Sequence, residues 1–222
     1  MLQILVHNDL FIACNKPAGL ASQPDKTGDE SLLDQVEKRC KRTVHLVNRL
    51  DRPVSGIVLF AKTKAVMTSF TGQFQDRNVE KVYLALVQNE PPAESGTLVH
   101  YLQKNQAKNI STVHTEEQPD SERAELEYKL IGKSDRYFLL EIRPISGKHH
   151  QIRAQLAAMG CPVKGDVKYG ARRSNRDRSI HLHAWKLDIE HPMSGERISL
   201  EAPLPEESLW QAMKRKCNNV TM

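Results

Sequence analysis

The sequence has no long hydrophobic run, since no window of its 222 residues approaches the roughly 18 consecutive apolar residues that a membrane-spanning helix needs. Its first residues, Met-Leu-Gln-Ile-Leu-Val-His, contain no basic region, and their apolar run is too short for a secretory signal. We therefore expect a cytoplasmic protein without a membrane partner.

Cysteine and aromatic residues are also scarce. The four cysteines are scattered, and no two have the spacing of metal ligands: Cys14, Cys40, Cys161 and Cys217. In a cytoplasmic protein we expect them to be reduced thiols, which argues against a disulfide framework and against a cysteine-based zinc site. Aromatic residues make up only 5% of the chain, and this argues against a broad base-stacking surface.

The charge of the chain is modestly basic. There are 32 Lys and Arg against 27 Asp and Glu, a formal net charge of +5, and the isoelectric point is about 9.0. With 39% hydrophobic and 27% charged residues, the composition is typical of a globular protein. The basic excess fits a polyanionic partner such as nucleic acid, but many proteins without such a partner share it, so charge alone leaves the question open.

Local patterns predict a mixture of strands and helices. Ile57–Ala61 is a continuous apolar run, typical of a strand buried on both faces. The stretch 90–120 is polar with weak periodicity, which predicts an exposed excursion with irregular strands. The other predicted strands form hairpins over 2–13 and over 124–142 or lie over 44–50, 81–88, 179–189 and 197–202. Helices are predicted over 31–39, with Ser31 as the cap, over 64–76, and over 150–159, where Ile152, Leu156 and Met159 would be buried. A short helix with a frayed tail is predicted after Pro205.

The order of these elements predicts the fold class. Strands outnumber helices but are interleaved with them, and no repeat, low-complexity tract or change of composition marks a linker. We therefore predict one α+β domain over 1–222, with a mixed, mostly antiparallel sheet flanked by helices.

The segment Val47–Gly56 is the most unusual, because Arg49 and Arg52 flank Asp51 just before the buried strand. On an extended chain, Arg49 and Asp51 would project to one face and Arg52 to the other. Nearby guanidinium groups favour an ionised carboxylate, so we expect Asp51 to be charged at neutral pH. Taken alone, the segment fits a salt-bridged loop that opens a strand better than it fits a functional loop.

Two further segments carry polar groups in notable places. In Ile145–Arg153, small residues precede a helix start, and free backbone N–H groups beside cationic side chains suit an anion such as phosphate. An ordinary capped helix explains that segment equally well. In Lys81–Val87, Tyr83 is the one aromatic of an aliphatic strand, which by itself indicates a core tyrosine.

Taken together, these segments resemble motifs of the RluA family of pseudouridine synthases. The matches come in family order over about residues 9–196: Asn15–Leu20 (N-K-P-x-G-L), Val47–Gly56 (H-R-L-D-x-x-T-S-G), Tyr83 (K-x-Y-x-A), Ser146–Leu156 (T-G-R-x-H-Q-I-R-x-H-L), Gly160–Gly170 (G-x-P-I-x-G-D-x-x-Y-G) and Leu182–Glu196 (L-H-A and H-P-x-T-G-E). Four positions depart from the family pattern, namely Asn48 and Gln155 for His, Val54 for Thr and Lys148 for Arg. These changes affect substrate positioning, since Lys148 lacks the bidentate fork of an arginine.

The resemblance implies an enzyme, an RNA pseudouridine synthase that isomerises uridine by breaking its N1–C1′ bond and rejoining uracil through C5. Such an enzyme flips the target base out of its stack. Neither a cofactor nor a metal is expected, because the reaction needs no energy input and no redox step. Asp51 would act as nucleophile or as base on the ribose, Arg153 would pair with it, and Tyr83 would stack on the uracil. The implied substrate-binding residues are Asn48, Arg49, Lys148, His150 and Gln151.

The implied partner is RNA, either tRNA or rRNA, and the motifs do not indicate which. We expect a monomer in which no small N-terminal RNA-binding domain of the S4 type precedes the catalytic domain, because the first motif begins near the N-terminus. Candidate phosphate contacts are the cations and histidine that follow the catalytic motifs: Lys148, His149, Lys168, Arg172, Arg173, Arg176 and Arg178.

Three other functions remain as alternatives. An RNA-binding module without catalysis would be expected to lose Asp51 or Arg153, but both are present. A metal hydrolase is suggested by His149-His150 and His181-x-His183, although no further ligand has a supporting spacing. A glycosidase needs two cooperating carboxylates, whereas only Asp51 stands out.

Overall fold

The computed structural model describes residues 2–218 and divides the chain into two compact units. Unit 1 consists of Met1–Lys81 and His183–Pro205, and unit 2 of Val82–Leu182 and Glu206–Met222. The predicted frayed tail after residue 218 and the predicted thiol of Cys217 lie outside what the structure describes. The extent 1–222 of one domain stays a prediction.

Residues 2–218 contain eleven strands, four α-helices and a short 3-10 helix, Val167–Tyr169. The strands are β1 (Gln3–His7), β2 (Phe11–Lys16), β3 (His45–Leu46), β4 (Ser55–Ala61), β5 (Glu80–Val87), β6 (Ser95–Asn105), β7 (Ile110–His114), β8 (Ser121–Lys133), β9 (Phe138–Pro144), β10 (Leu182–Glu190) and β11 (Arg197–Glu201). The helices are α1 (Leu32–Cys40), α2 (Lys64–Gln75), α3 (Gln151–Ala158) and α4 (Ser208–Asn218).

In unit 1 the strand order is β1-β2-β4-β10, with β11 beside β10 and β3 beside β4. Only the β4–β10 pair among these is parallel, so the sheet is mixed. Every residue of β4 is buried, which confirms the predicted strand buried on both faces. Helix α2 covers one face, where Phe70 meets Phe11 edge to face with ring centres 5.5 Å apart.

In unit 2 the strand order is β5-β9-β8-β6-β7, and all of these pairs are antiparallel. Helix α3 packs against this sheet through Ala154, which contacts Leu102 of β6 and Ala124 of β8. The predicted α+β class with a mixed, mostly antiparallel sheet is thereby confirmed.

The stretch 90–120 corrects one expectation. Instead of irregular strands it forms a regular hairpin, in which β6 and β7 pair from Tyr101↔His114 to Asn105↔Ile110. Its apolar periodicity is weak because most of its residues are at least partly exposed, as in an antiparallel sheet with one solvated face.

The helix starts follow from capping residues where such residues are present. Ser31 and Asp34 form a reciprocal capping box at the start of α1, which confirms the predicted cap. Helix α3 begins after His150, which has a left-handed φ of 54° and makes no side-chain cap. The predicted apolar stripe on α3 ended at Met159, but that residue is only half-buried, whereas all six residues from 151 to 156 are buried. Within residues 2–218, none of the helices has the length and apolarity to cross a membrane.

Candidate active site

Asp51 begins a tight turn just before β4 in unit 1. Its carbonyl oxygen accepts a hydrogen bond from the Val54 N–H at 3.0 Å. The predicted strand over 44–50 is shorter in the structure, where only β3 forms. The predicted alternation of Arg49, Asp51 and Arg52 on an extended chain does not continue past Asp51, because a turn begins there.

Ser22 holds the residue before Asp51. The Leu50 N–H donates to Ser22 Oγ at 3.0 Å, and this hydroxyl donates to the Leu50 carbonyl at 2.8 Å. Ser22 and Leu50 are both buried, so loss of this reciprocal pair would leave backbone groups unsatisfied. The N-terminal side of the turn is fixed in this way.

Lys16 and Gly19 hold the residue after Asp51. The fully buried Lys16 Nζ donates to the carbonyls of Pro17, Leu20 and Arg52 at 3.1, 2.7 and 3.2 Å, and the Gly19 N–H donates to the Arg52 carbonyl at 2.8 Å. Burial lowers the pKa of Lys16 to about 7, while the nearby Asp51 carboxylate acts in the opposite direction. The Asn15–Leu20 motif is thus the support of the Asp51 turn.

The Arg52 side chain is bound by an exposed loop of the same unit. Its guanidinium donates to both carboxylate oxygens of Asp25 at 2.9 and 3.0 Å, to Asp29 at 2.9 Å and to Thr27 Oγ1 at 2.7 Å. The pKa of Asp25 is lowered to about 2, first by its hydrogen bonds with Thr27 and then by Arg52. Sequence reasoning placed Arg52 beside Asp51 as a source of positive charge, and missed these carboxylates.

Asn48 and Arg49 precede the turn and have different environments. Asn48 Nδ2 donates to the Ile57 carbonyl at 3.2 Å, and Asn48 Oδ1 accepts from the Leu59 N–H at 2.7 Å, so its amide pairs with the backbone of β4. Arg49 is exposed, and no described residue up to position 215 forms a hydrogen bond or ion pair with its guanidinium. Asn48 therefore holds the segment before the turn against β4, whereas the Arg49 side chain lies exposed at the surface.

The other end of the motif is fixed where β4 meets β10. Ser55 Oγ lies 2.8 Å from Nδ1 of the fully buried His183, and burial lowers the pKa of this imidazole to about 4. A Cβ atom at Gly56 would lie 2.2 Å from the Ala184 carbonyl oxygen, and the φ of Gly56 is +115°. Only glycine fits this position, because both the backbone conformation and the close approach of β10 exclude a side chain.

In unit 2, Tyr83 lies on β5 opposite Ile142 of β9. It is half-buried, whereas the neighbouring Val82 and Leu84 are buried. Its side chain is therefore more accessible than that of a core tyrosine.

Arg153 forms a bidentate ion pair with Asp166 inside unit 2. Arg153 Nε lies 2.7 Å from Asp166 Oδ2 and Arg153 Nη2 lies 2.9 Å from Asp166 Oδ1, and the two side chains are only 6% and 2% exposed. The fork fixes the guanidinium plane, which a single contact would not do. The sequence analysis did not identify Asp166 as the partner of Arg153, although Asp166 belongs to the quoted Gly160–Gly170 segment.

Tyr169 links this ion pair to the start of α3 and to β7. The Arg153 guanidinium lies over the Tyr169 ring at 5.0 Å. Tyr169 Oη accepts from the Ser111 N–H at 2.8 Å and shares a 2.8 Å hydrogen bond with His150 Nδ1. Burial raises the pKa of Tyr169, which keeps its hydroxyl protonated.

Gln151 shapes the loop before α3. Its Oε1 accepts from Ser146 Oγ at 2.9 Å and from the Lys148 N–H at 3.0 Å, and its Nε2 donates to the Glu125 carbonyl at 3.0 Å. The Lys148 N–H, expected to be free for an anion, is thus engaged by the protein itself. The Lys148 ammonium forms an ion pair with Glu122.

Two other predicted phosphate contacts meet at one loop. His149 Nε2 lies 3.1 Å from Asn109 Oδ1, and Lys168 Nζ donates to the Asn109 carbonyl at 3.1 Å. Both side chains thus contact the turn between β6 and β7.

The histidines of the metal-hydrolase alternative have other partners. His181 shares hydrogen bonds with Asn175 and Glu207, and His183 with Ser55. Among the residues that the structure describes, no group of three or more His, Cys, Asp or Glu side chains could hold a metal ion.

The predicted site residues fall into both units. Asn48, Arg49 and Asp51 lie in unit 1, and the others in unit 2: Tyr83, Lys148, His150, Gln151 and Arg153. The pairing of Asp51 with Arg153 stays a prediction.

Comparison with known proteins decides the family. A family model described as RNA pseudouridylate synthase matches residues 10–158, which is more than half of the chain. The chain belongs to this family. The enzyme class that the motifs predicted, a pseudouridine synthase, is thereby confirmed for the family.

Curated relatives of this synthase family include ribosomal and tRNA members. The chain is 30% identical to a ribosomal large subunit pseudouridine synthase C of Vibrio cholerae over 220 residues, 96% of this chain and 68% of that protein. It is 27% identical to a tRNA pseudouridine synthase C of Vibrio parahaemolyticus, over 96% of this chain and 93% of that protein. It spans 65% of the length of the ribosomal synthase C of Vibrio parahaemolyticus.

Solved synthase structures have the same fold. Human RNA pseudouridylate synthase domain containing 1 matches with a TM-score of 0.80 and 24% identity, over 96% of this chain and 87% of that one. The corresponding human domain containing 4 gives a TM-score of 0.77 at 21% identity.

Proposed function

We propose that this synthase converts specific uridines of a tRNA or rRNA to pseudouridine, without a cofactor, by a mechanism centred on Asp51. The observation that carries the proposal is the support of the Asp51 turn, which Ser22, Lys16 and Gly19 hold on both sides by hydrogen bonds. Such fixed backbone is what a reacting carboxylate needs, because small displacements of a catalytic group cost much of the rate.

In the proposed reaction the N1–C1′ bond of uridine breaks and a C5–C1′ bond forms. The proton on C5 leaves, and N1 takes up a proton, so that atoms and charge balance. Asp51 acts either as the nucleophile on C1′ or uracil, or as a base on the ribose. Arg153 pairs with the Asp51 carboxylate to keep it ionised and oriented.

Tyr83 stacks on the flipped uracil, and its half-buried position supports this role. The exposed Arg49 fills the space that the flipped base leaves in the RNA, or grips the backbone there. The remaining proposed substrate contacts are Asn48, Lys148, His150 and Gln151.

The Asp51 proposal is tested by tritium release from RNA that carries uridine tritiated at C5. We expect Asp51→Asn and Asp51→Ala to release no tritium above background, while circular dichroism shows both variants folded. Asp9→Asn, which changes an exposed carboxylate of the same unit, serves as the matched control and should keep the wild-type rate. Full release by either Asp51 variant contradicts the proposal.

The tyrosine proposal is tested by two substitutions that separate ring from hydroxyl. Tyr83→Phe keeps the stacking face and Tyr83→Leu removes it, so we expect the second to lose much more activity than the first. Wild-type rates in both variants would contradict the stacking role and would mean that Tyr83 only packs in the protein.

The RNA substrate is tested by mapping pseudouridine in cells that lack the gene. Loss of a modified position from tRNA or from rRNA identifies the substrate, and an unchanged pattern in both contradicts the proposed substrate class.

A further inference from the structure

The loop between residues 172 and 179 is a cluster of exposed arginines in unit 2. Its sequence, Arg-Arg-Ser-Asn-Arg-Asp-Arg-Ser, contains four arginines and one aspartate. All four arginines are exposed, and among the side chains described, those of residues 2–215, none forms a hydrogen bond or ion pair with their guanidinium groups.

Two other exposed arginines of unit 2 are neutralised by a nearby carboxylate. Arg123 pairs with Glu125 at 2.6 Å, and Arg143 pairs with Glu141 at 3.0 Å. In the 172–179 loop the single carboxylate is occupied by a neutral residue, since Asp177 Oδ1 accepts from the N–H and the hydroxyl of Ser179 at 3.0 and 2.7 Å. The loop therefore has a formal net charge of +3, and none of its guanidinium groups forms an ion pair with this carboxylate.

The loop is held from inside by one side chain, Asn175. Its Nδ2 donates to the Ser179 carbonyl at 2.9 Å and lies 3.0 Å from His181 Nδ1, while its Oδ1 accepts from Lys164 Nζ at 2.7 Å. The contact is close, because a Cβ atom at Gly165 would lie 2.7 Å from both Asn175 Nδ2 and the Ser179 carbonyl oxygen. Asn175 is therefore a strut that fixes the loop on its scaffold.

His181, which contacts Asn175, is itself held by other residues of unit 2. His181 Nε2 lies 3.0 Å from Glu207 Oε2, and the His181 ring stacks on Trp210 of α4. The two ends of the loop are pinned by the buried residues Ala171 and Ile180. A loop fixed in this way loses little conformational entropy when it binds a ligand.

We propose that the segment Arg172–Ser179 is a preorganised surface for the phosphate backbone of RNA, with Asn175 as its strut. Guanidinium groups bind phosphate through two parallel hydrogen bonds. The segment contains no apolar or aromatic residue, whereas the centre of a protein interface needs such residues, so its chemistry fits RNA rather than an acidic protein. The inference rests on the proposed function, because the RNA is taken to be the substrate.

The test measures binding of a fluorescein-labelled RNA hairpin at a series of KCl concentrations. Replacing all four arginines by alanine should lower the slope of log Kd against log salt by about 3, since each phosphate contact contributes roughly 0.7–0.9. Arg143→Ala and Arg123→Ala remove arginines that are also exposed but are paired with a carboxylate, and these matched controls should keep the wild-type slope. An unchanged slope in the fourfold variant overturns the proposal.

The strut is tested separately by Asn175→Ala, which keeps every arginine. We expect Kd to rise about three- to tenfold at low salt, because the loop then has to be ordered on binding. Thermal melting checks that the variants are folded. An unchanged Kd overturns the role of Asn175. If the four arginines are needed for binding poly-L-glutamate but not for binding RNA, the choice of RNA as the partner is overturned.

Tritium release separates this inference from the proposed function. If the loop binds substrate, the fourfold variant loses activity through a raised KM for RNA. A wild-type protein that binds the hairpin through the loop but releases no tritium from any RNA contradicts the function and leaves the binding surface standing. If the wild-type protein is active and the fourfold variant has the same KM and the same salt slope, only the proposal that the loop binds RNA is contradicted.

Discussion

Arg52 and Asp25 form a bidentate ion pair in which one guanidinium nitrogen lies 2.9 and 3.0 Å from the two carboxylate oxygens. Arg52 directly follows Asp51, and its carbonyl accepts hydrogen bonds from Lys16 and Gly19. The backbone and the side chain of one residue are thus held by two parts of the segment 16–29. The exposed loop around Asp25 therefore contributes to the geometry of the Asp51 turn.

The first prediction concerns this loop. In the double variant Asp25→Ala, Asp29→Ala the guanidinium of Arg52 is released, and we expect kcat for tritium release to fall about fivefold because Asp51 is less well positioned. Since the pKa of Asp25 is lowered to about 2, the ion pair is intact throughout the neutral range and the loss should not depend on pH there. Lys38→Ala breaks another exposed pair, with Glu30, and should leave kcat unchanged. Equal rates in all of these proteins would show that Ser22 and Lys16 fix the turn alone.

The second prediction concerns Gly56. Gly56→Ala should lower the free energy of unfolding by about 3 kcal/mol or more, because its Cβ would lie 2.2 Å from the Ala184 carbonyl oxygen and its φ is +115°. Urea denaturation followed by circular dichroism measures the change. Gly72→Ala is the control, since no atom lies within 4 Å of its Cβ and it lies inside α2, where alanine should add about 0.5–1 kcal/mol. A Gly56 variant as stable as wild type would contradict the close approach of β4 and β10.

The third prediction is a pH dependence due to His183. Burial lowers its folded-state pKa from 6.5 to about 4, so the unfolded chain binds the proton more tightly. The resulting stabilisation is fully present above pH 6.5 and is lost as the pH falls towards 4, a loss on the order of 3 kcal/mol. Urea denaturation at several pH values should show a smaller acid-side loss for His183→Gln than for wild type. Identical pH dependences would mean that the shift is absent.

The fourth prediction concerns the Tyr169 hydroxyl, which joins Ser111 and His150. Tyr169→Phe removes both hydrogen bonds but keeps the ring beneath Arg153, so we expect kcat/KM to fall about tenfold through poorer orientation of the start of α3. Tyr169→Leu should lose more, because it also removes the cation–π contact. Tyr128→Phe, which removes the hydroxyl of a buried tyrosine of unit 2, serves as the control. Wild-type kinetics in Tyr169→Phe would show that the hydroxyl does not position the site.

Much of the fold follows from local sequence. The apolar run Ile57–Ala61 indicated a strand buried on both faces, and the capping pair Ser31 and Asp34 begins a helix where a cap was predicted. The β6–β7 hairpin escaped prediction because its residues are mostly exposed and give little apolar alternation. The ordered motifs indicated the synthase family, since their spacing survives even where Asn48 and Lys148 replace the usual residues.

The sequence by itself determined the strand and helix signals, the family and the candidate residues around Asp51, because each depends on residues near one another in the chain. Only the tertiary structure decided the partners that fix those residues. Arg52 binds Asp25, 27 positions away, and Arg153 binds Asp166, 13 positions away, although the chain contains 27 acidic residues from which to choose. The choice depends on the path of the backbone, which brings Asp25 and Asp29 within hydrogen-bonding distance of Arg52 and brings the buried Asp166 within hydrogen-bonding distance of Arg153.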